Sequence, residues 1–122
     1  MGKYSFQKEE RLSGEKAIKE LFKKGASFKL FPFRVIVMKN QSPDYPYHQV
    51  LISVPKQTFK KATSRNTIKR RIREAYRLNK SKLESNEKLV IAYLYMAKET
   101  LPSTIIHAKL VETLNRINEN FK

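Results

Sequence analysis

Cysteine and tryptophan are absent from these 122 residues, and glycine occurs only at positions 2, 14 and 25. Without cysteine there can be no disulfide, thiolate zinc site or cysteine nucleophile. Three scattered glycines build neither a phosphate loop nor a dinucleotide fingerprint. Asp44 is the only aspartate, and most glutamates sit among lysines, so the converging carboxylates of a two-metal nuclease are not to be expected. His48 and His107 stand alone, which favours surface or boundary positions over zinc ligation. The longest apolar run, Leu89 to Ala97, is nine residues, against about 20 for a membrane span. Lys3, Lys8, Glu9, Glu10 and Arg11 interrupt any secretory core at the start. The expectation is a soluble, cytoplasmic protein with no membrane partner and no catalytic or metal-binding residues of its own.

What the chain has in excess is positive charge: 26 Lys and Arg face 11 Asp and Glu, a formal +15. On a body this small such a charge repels itself unless a polyanion is near, so nucleic acid is the partner to consider first. The length suits one domain, 1–122, with a single modest core. The excess is also segregated. Residues 56–82 hold eleven Lys or Arg and one acid, Glu74, whereas residues 83–122 hold five of each sign. The middle of the chain is therefore the candidate binding segment.

Residues 1–12 carry little pattern and read as an extended or flexible arm, with Glu9 and Glu10 solvated. Ser13 is placed to cap a first helix over residues 14–24, whose apolar positions Ala17, Ile18, Leu21 and Phe22 follow helical spacing and which Gly25 ends. Phe28 to Met38 is aromatic and β-branched and reads as a strand divided by Pro32. Turn residues from Asn40 to Pro46 lead to a strand over Tyr47 to Val54, as a hairpin-like pair with the first. A basic loop, Lys56 to Thr63, precedes a long helix from Ser64 to Leu83. Lys88 to Met96 is short and apolar enough for a buried strand, and Pro102 with Ser103 opens a last helix bearing Ile106, Leu110, Leu114, Ile117 and Phe121 on one side.

On the long helix, at about 100° per residue, Ile68, Ile72, Ala75 and Asn79 share one side. Arg65, Lys69 and Arg73 climb the adjacent side at four-residue steps, with Arg70 and Arg77 beyond. A lysine-rich solvated face is the bland reading. Two features argue against it. Each of the pairs Arg65–Lys69, Lys69–Arg73 and Arg73–Arg77 repels by about 0.2–0.5 kcal/mol, and Arg65 and Lys69 lie where the helix dipole disfavours cations. Bound phosphate reverses both effects, because it neutralises the row and accepts hydrogen bonds from free N–H groups at the helix start.

The stretch Ala62-Thr-Ser-Arg-Asn-Thr-Ile-Lys-Arg-Arg-Ile-Arg-Glu74 resembles the signature of bacterial ribonuclease P proteins: an Arg-Asn pair, then Lys-Arg, then Arg in helical spacing. Ile52-Ser-Val-Pro-Lys56 looks like that family's Ser-Val-x-Lys strand end, and Leu21-Phe-Lys-Lys-Gly25 matches its first helix. The resemblance covers nearly the whole chain. It implies an α+β fold: a two-layer α/β sandwich with a mixed four-stranded sheet, three helices and a left-handed β-α-β crossover, like the second domain of ribosomal protein S5. It implies a subunit of an endoribonuclease whose catalysis belongs to an RNA, which would need Mg2+ while the protein itself binds no cofactor. The implied partners are that catalytic RNA and precursor tRNA, whose 5′ leader is removed, and not DNA.

By position, the resemblance puts contacts to the catalytic RNA on Arg65, Asn66, Lys69, Arg70 and Arg73, with Lys56, Lys60, Lys61 and Arg77 around them. It places Phe22 among the residues that hold the single-stranded leader, and makes Ile18, Phe31 and Phe33 further candidates. Ile18 stands where relatives often carry a second Phe, Thr67 where a third basic residue is common, and Lys60-Lys61 where relatives favour Gly-Asn. By helical spacing alone Phe22 reads as core rather than as a ligand platform, and Tyr45, Tyr47, Tyr93 and Tyr95 remain unassigned. A ribosomal protein would fit the charge equally well. A helix-turn-helix DNA binder fits less well, because the basic helix follows a strand and a loop rather than a partner helix. If four to six phosphates are engaged, the affinity for RNA is expected to fall with salt at a log–log slope of about −3 to −5, measured by titration across KCl concentrations.

Overall fold

In the computed structural model, residues 6–42 and 44–121 are described. The elements, in chain order, are α1 (Glu15–Lys24), β1 (Ala26–Leu30), β2 (Phe33–Lys39), β3 (Gln49–Ser53), α2 (Ala62–Asn79), β4 (Leu89–Tyr95) and α3 (Ser103–Asn120). The four strands form one sheet in the order β1-β2-β4-β3. β1–β2 and β2–β4 are antiparallel, while β3 and β4 are parallel and joined through α2. This departs from the expected hairpin of the first and second strand regions. The hairpin is instead formed by the two halves of the first region around Pro32, and β4 inserts between β2 and β3. The reason lies in β4 itself, which is apolar on both faces and almost wholly buried, so it must take a central place covered from both sides.

Register assigns every strand residue to a face. Phe33, Val35 and Val37 of β2, with Leu89, Ile91, Tyr93 and Tyr95 of β4, point to one side. There they form the main core with Ile68, Ile72, Ala75 and Tyr76 of α2 and Ile106, Leu110, Leu114 and Ile117 of α3. Phe33 meets Tyr93 and Tyr95 edge to face, at 5.4 and 6.4 Å between ring centres, an arrangement worth about 0.5–1.5 kcal/mol beyond the area buried. The buried hydroxyl of Tyr93 donates to Thr113 Oγ1 at 2.8 Å, because Thr113 itself donates to the Leu110 carbonyl. Burial raises the Tyr93 pKa, which keeps that hydroxyl a donor. The Tyr95 hydroxyl holds the loop before α3, donating to Glu99 O and accepting from Leu101 N–H. Both strand tyrosines left open by the sequence are therefore core.

On the opposite face a smaller cluster, Leu12, Leu21, Ile36, Val90 and Ala92, lies beneath α1. The sheet and the α2–α3 pair make the expected two layers, and α1 adds a partial third. α1 runs across the strands: Leu12 N–H bonds to Val50 O on β3 at one end, and Gly25 sits against Ile36 of β2 at the other. A Cβ on Gly25 would lie 2.5 Å from the Ile36 side chain and 2.6 Å from Leu21 O. Gly25 therefore ends the helix by allowing close approach and not through a left-handed cap, since its φ is −71°. The glycine with positive φ is Gly14, at 93°, which takes the N-cap position expected for Ser13.

The arm also differs from expectation over its described part. Phe6 packs edge-on against Tyr76, Arg11 bridges to Val50, and Lys8–Glu10 forms a single 3-10 turn. Glu10 is buried, not solvated, and pairs with Lys80 at 2.5 Å. Residues 1–5 lie outside the described residues. α2 starts two residues earlier than expected and ends at Asn79, whose side chain turns back to Ala75 O, before a 3-10 turn over Lys80–Lys82.

His48 is half-buried and accepts the Leu89 N–H on Nδ1 at 2.9 Å. Desolvation, assisted by Lys88, lowers its pKa to about 4. The unfolded chain binds a proton at this imidazole near pH 6.5, which the folded chain refuses until about pH 4. The contribution of His48 to stability is thus whole above pH 6.5 and is lost as pH falls towards 4. Urea unfolding at pH 7 and pH 4.5 is expected to show a smaller acid-side loss for His48→Asn, which retains an acceptor, than for the wild type.

Candidate nucleic-acid interface

The packing of α2 sets where its charges go. Ile68, Ile72, Ala75, Tyr76 and Asn79 are buried against the sheet and α3, which turns Lys69 and Arg73 towards the β3 edge and Asn66 and Arg70 to solvent. Among the described residues no carboxylate pairs with Arg65, Lys69, Arg70 or Arg73. Arg77 differs, since its guanidinium binds the Glu74 carboxylate. That hydrogen bond lowers the Glu74 pKa, so Arg77 brings a partly neutralised charge to the ridge.

The other site residues divide by role. Lys56, Lys60 and Lys61 are exposed on the loop between β3 and α2. Phe59, buried at the loop's centre, anchors it against Tyr95. Arg65 braces the same loop, donating from one nitrogen to Phe59 O at 2.7 Å and Lys60 O at 3.1 Å. Its charge thus stands at the helix start with part of its hydrogen-bonding capacity engaged within the chain. The first turn of α2 has no side-chain cap and no acid, which leaves its N–H groups and dipole available to an anion. Arg71 points the other way and donates to Leu101 O, fastening α2 to the start of α3. Sequence reasoning had no means to separate it from its cationic neighbours.

The sheet face under α1 offers a second surface. Ala17 and Glu20 border a groove of about 510 Å³ with Met38 and Val90, whereas Ile18 and Phe22, four residues apart, lie on the other flank of α1. Ile18 is half-buried against the small cluster, together with Leu51 and Leu94. Phe22 is 48% exposed, so the core reading of this residue fails. In front of this flank one row of register partners crosses the sheet: Lys29, Arg34, Leu94 and Ser53. Lys29 and Arg34 are exposed; sequence alone did not single them out, because their face becomes defined only through strand register. Phe31 and Met96 stand at the same end, 63% and 56% exposed. Phe33 must be corrected: it points to the opposite face and is 1% exposed within the main core, so it cannot stack on a ligand. Two residues along the chain, Phe31 is the free ring.

A ridge on which, among the described residues, Glu74 pairs with Arg77 but no carboxylate pairs with Arg65, Lys69, Arg70 or Arg73, together with an open sheet face bearing exposed rings, has the character of a nucleic-acid-binding protein. Among the described residues no three of His, Cys, Asp or Glu converge, and no helix is long and apolar enough to cross a membrane.

The model of the ribonuclease P family matches residues 6–118, and the chain belongs to that family. A ribonuclease P protein component of Porphyromonas gingivalis is 32% identical over 122 residues, covering 96% of this chain and 89% of the relative. The ribonuclease P protein of Thermotoga maritima superposes with a TM-score of 0.74 at 30% identity over 88% of this chain and 97% of its own. That of Staphylococcus aureus gives 0.71 at 27% identity over 93% and 98%. The chain is thus a protein component of the ribonuclease P endoribonuclease, and the ribosomal-protein alternative falls.

Lys69→Gln and Arg73→Gln are each expected to reduce the magnitude of the log–log salt slope for RNA binding, by up to about 0.7–0.9. Arg77→Gln, whose charge Glu74 already holds, is expected to change it less. Fluorescence anisotropy across KCl concentrations reads all three.

Proposed function

We propose that this protein binds the catalytic RNA of ribonuclease P along the α2 ridge and holds the 5′ leader of precursor tRNA across the open sheet face, assisting removal of the leader in the cytoplasm. The observation that carries this reading is the adjacency of the two surfaces. β3 lies between them: Leu51 lines a notch with Lys69 and Arg73 and packs on the cluster beneath α1, as does Ile18, which shares its flank of α1 with the exposed Phe22. Arg65, Asn66, Lys69, Arg70 and Arg73, with Lys56, Lys60 and Lys61, supply phosphate contacts. Their positive field offsets the repulsion between two polyanions, so the protein replaces part of the counterion atmosphere that the RNAs otherwise need.

On the leader side, Phe22 and Phe31 present ring faces to unstacked bases, Ile18 and Leu94 supply an apolar floor, and Lys29 and Arg34 lie where the backbone would pass. Stacking on such rings tolerates any base, which suits a leader of varied sequence. The chemical step belongs to the RNA and its Mg2+; this chain contributes binding and orientation.

Reconstitution tests the proposal. With a bacterial ribonuclease P RNA at low magnesium, the protein is expected to stimulate 5′ maturation of precursor tRNA strongly, and unchanged cleavage would refute the reading. Phe22→Ala is expected to weaken binding of leader-bearing substrate by about 5- to 150-fold, the range for one stacked base, while affinity for mature tRNA stays constant.

A further inference from the structure

The arm that carried no sequence pattern delivers a cation to the ridge. Arg11 shares a concave notch with Lys69 and Arg73, floored by Val50, Leu51 and Ile52 and walled by Phe6. Three positive side chains thus converge from two separate elements, and among the described residues no acidic one lines the notch. The two acids just before Arg11 do not serve it either. Glu10 is turned inward to Lys80, and Glu9 is exposed with its backbone carbonyl bonded by the Tyr45 hydroxyl.

Arg11 is also held in place. Its guanidinium carbon lies 5.5 Å from the centre of the Phe6 ring, a cation–π distance. Phe6 in turn packs edge-on against Tyr76, whose ring centre is 5.8 Å away and which lies one turn beyond Arg73 on α2. The Arg11 backbone is bridged to Val50. A mobile surface arginine needs none of these supports. A cation fixed beside two others without a counterion is unfavourable in the free protein and favourable once an anion enters.

We propose that Arg11, with Lys69 and Arg73, forms a preorganised site for one phosphodiester group, filled by the backbone of the catalytic RNA. The size of the notch, about 170 Å³, suits a phosphate and not a base stacked on its sugar. The catalytic RNA is the chosen source because two of the three cations belong to the α2 ridge. Arg11 thereby extends the ridge past the edge strand, and the arm acts as a clamp whose closed position is set by Phe6 and Glu10. This inference rests on the function proposed above for α2.

The test uses the full chain and a bacterial ribonuclease P RNA. Arg11→Gln is expected to weaken binding roughly tenfold and to reduce the magnitude of the salt slope measurably, by less than the roughly 0.7–0.9 of a whole phosphate because Lys69 and Arg73 share it. Arg11→Lys is expected to keep the wild-type slope. The double variant Arg11→Gln/Arg73→Gln is expected to lose less affinity than the product of the single losses, because the two side chains share one ligand. Affinity for leader-bearing precursor tRNA without the catalytic RNA is expected to stay near wild type; a selective loss there would overturn the choice of RNA. Wild-type affinity and slope in Arg11→Gln would overturn the site itself. So would loss of slope in Arg11→Lys along with a lowered melting temperature, since Arg11 would then only brace the arm. Stimulation of cleavage by the wild type is measured in parallel: its absence refutes the function proposed above, whereas an unchanged slope in Arg11→Gln refutes only the notch.

Discussion

The rotational setting of α2 on the sheet is the constraint from which the remaining features follow. Ile68, Ile72, Ala75 and Tyr76 dock on the strand tyrosines and on α3, and a helix has one azimuth at which such a stripe is buried. That azimuth directs Lys69 and Arg73 along the β3 edge and keeps Asn66 and Arg70 in water. The like-charge repulsion along the row is offset by core burial, because one fully buried Ile contributes about 1.5–3 kcal/mol against a few tenths for each cationic pair. The fold can therefore hold a charge pattern that no isolated helix of this sequence would favour.

The two faces of the sheet divide the remaining work. One face is sealed by α2 and α3 around an aromatic cluster with its hydroxyls satisfied, and it gives the molecule a rigid frame. The other is covered by a single short helix lying across the strands, held down at the Gly25 end by near contact with Ile36. A larger residue there would lift α1 and change the distance between Phe22 and the row Lys29, Arg34, Leu94 and Ser53, of which Lys29 and Arg34 are exposed. Incomplete cover on this side is what leaves Phe22, Lys29 and Arg34 exposed. The α2 ridge and this face meet across β3, where Leu51 lines a notch with Lys69 and Arg73 and packs on the cluster beneath α1.

Much of this was legible beforehand. The apolar period of α2 defined its buried stripe and, by difference, its basic flank; the Arg-Asn and Lys-Arg spacing pointed to the family; and the apolar run of β4 announced a buried strand. The errors have physical causes. Pairing β2 with β3 followed the habit of neighbouring strands, but β4 outcompetes β3 because only a central place covers both of its faces. Phe33 looked equivalent to Phe31 because, next to a proline, the parity that decides inside from outside cannot be assigned without a partner strand. The arm looked unpatterned because Phe6, Glu10 and Arg11 find their partners in α2, the turn after it and β3, at separations that no local period reveals.

By itself the sequence determined the sign of the charge, its concentration in residues 56–82 and the buried stripe of α2, because net charge and helical periodicity are local properties that survive in any fold burying the same stripe. Tertiary structure alone decided which cations remain unpaired, which aromatic rings stay in water, and that an arginine from the arm joins two from α2. Those outcomes depend on strand register, on helix azimuth and on ion pairs between residues distant in the chain, such as Glu10 with Lys80, and each is set only when the core closes.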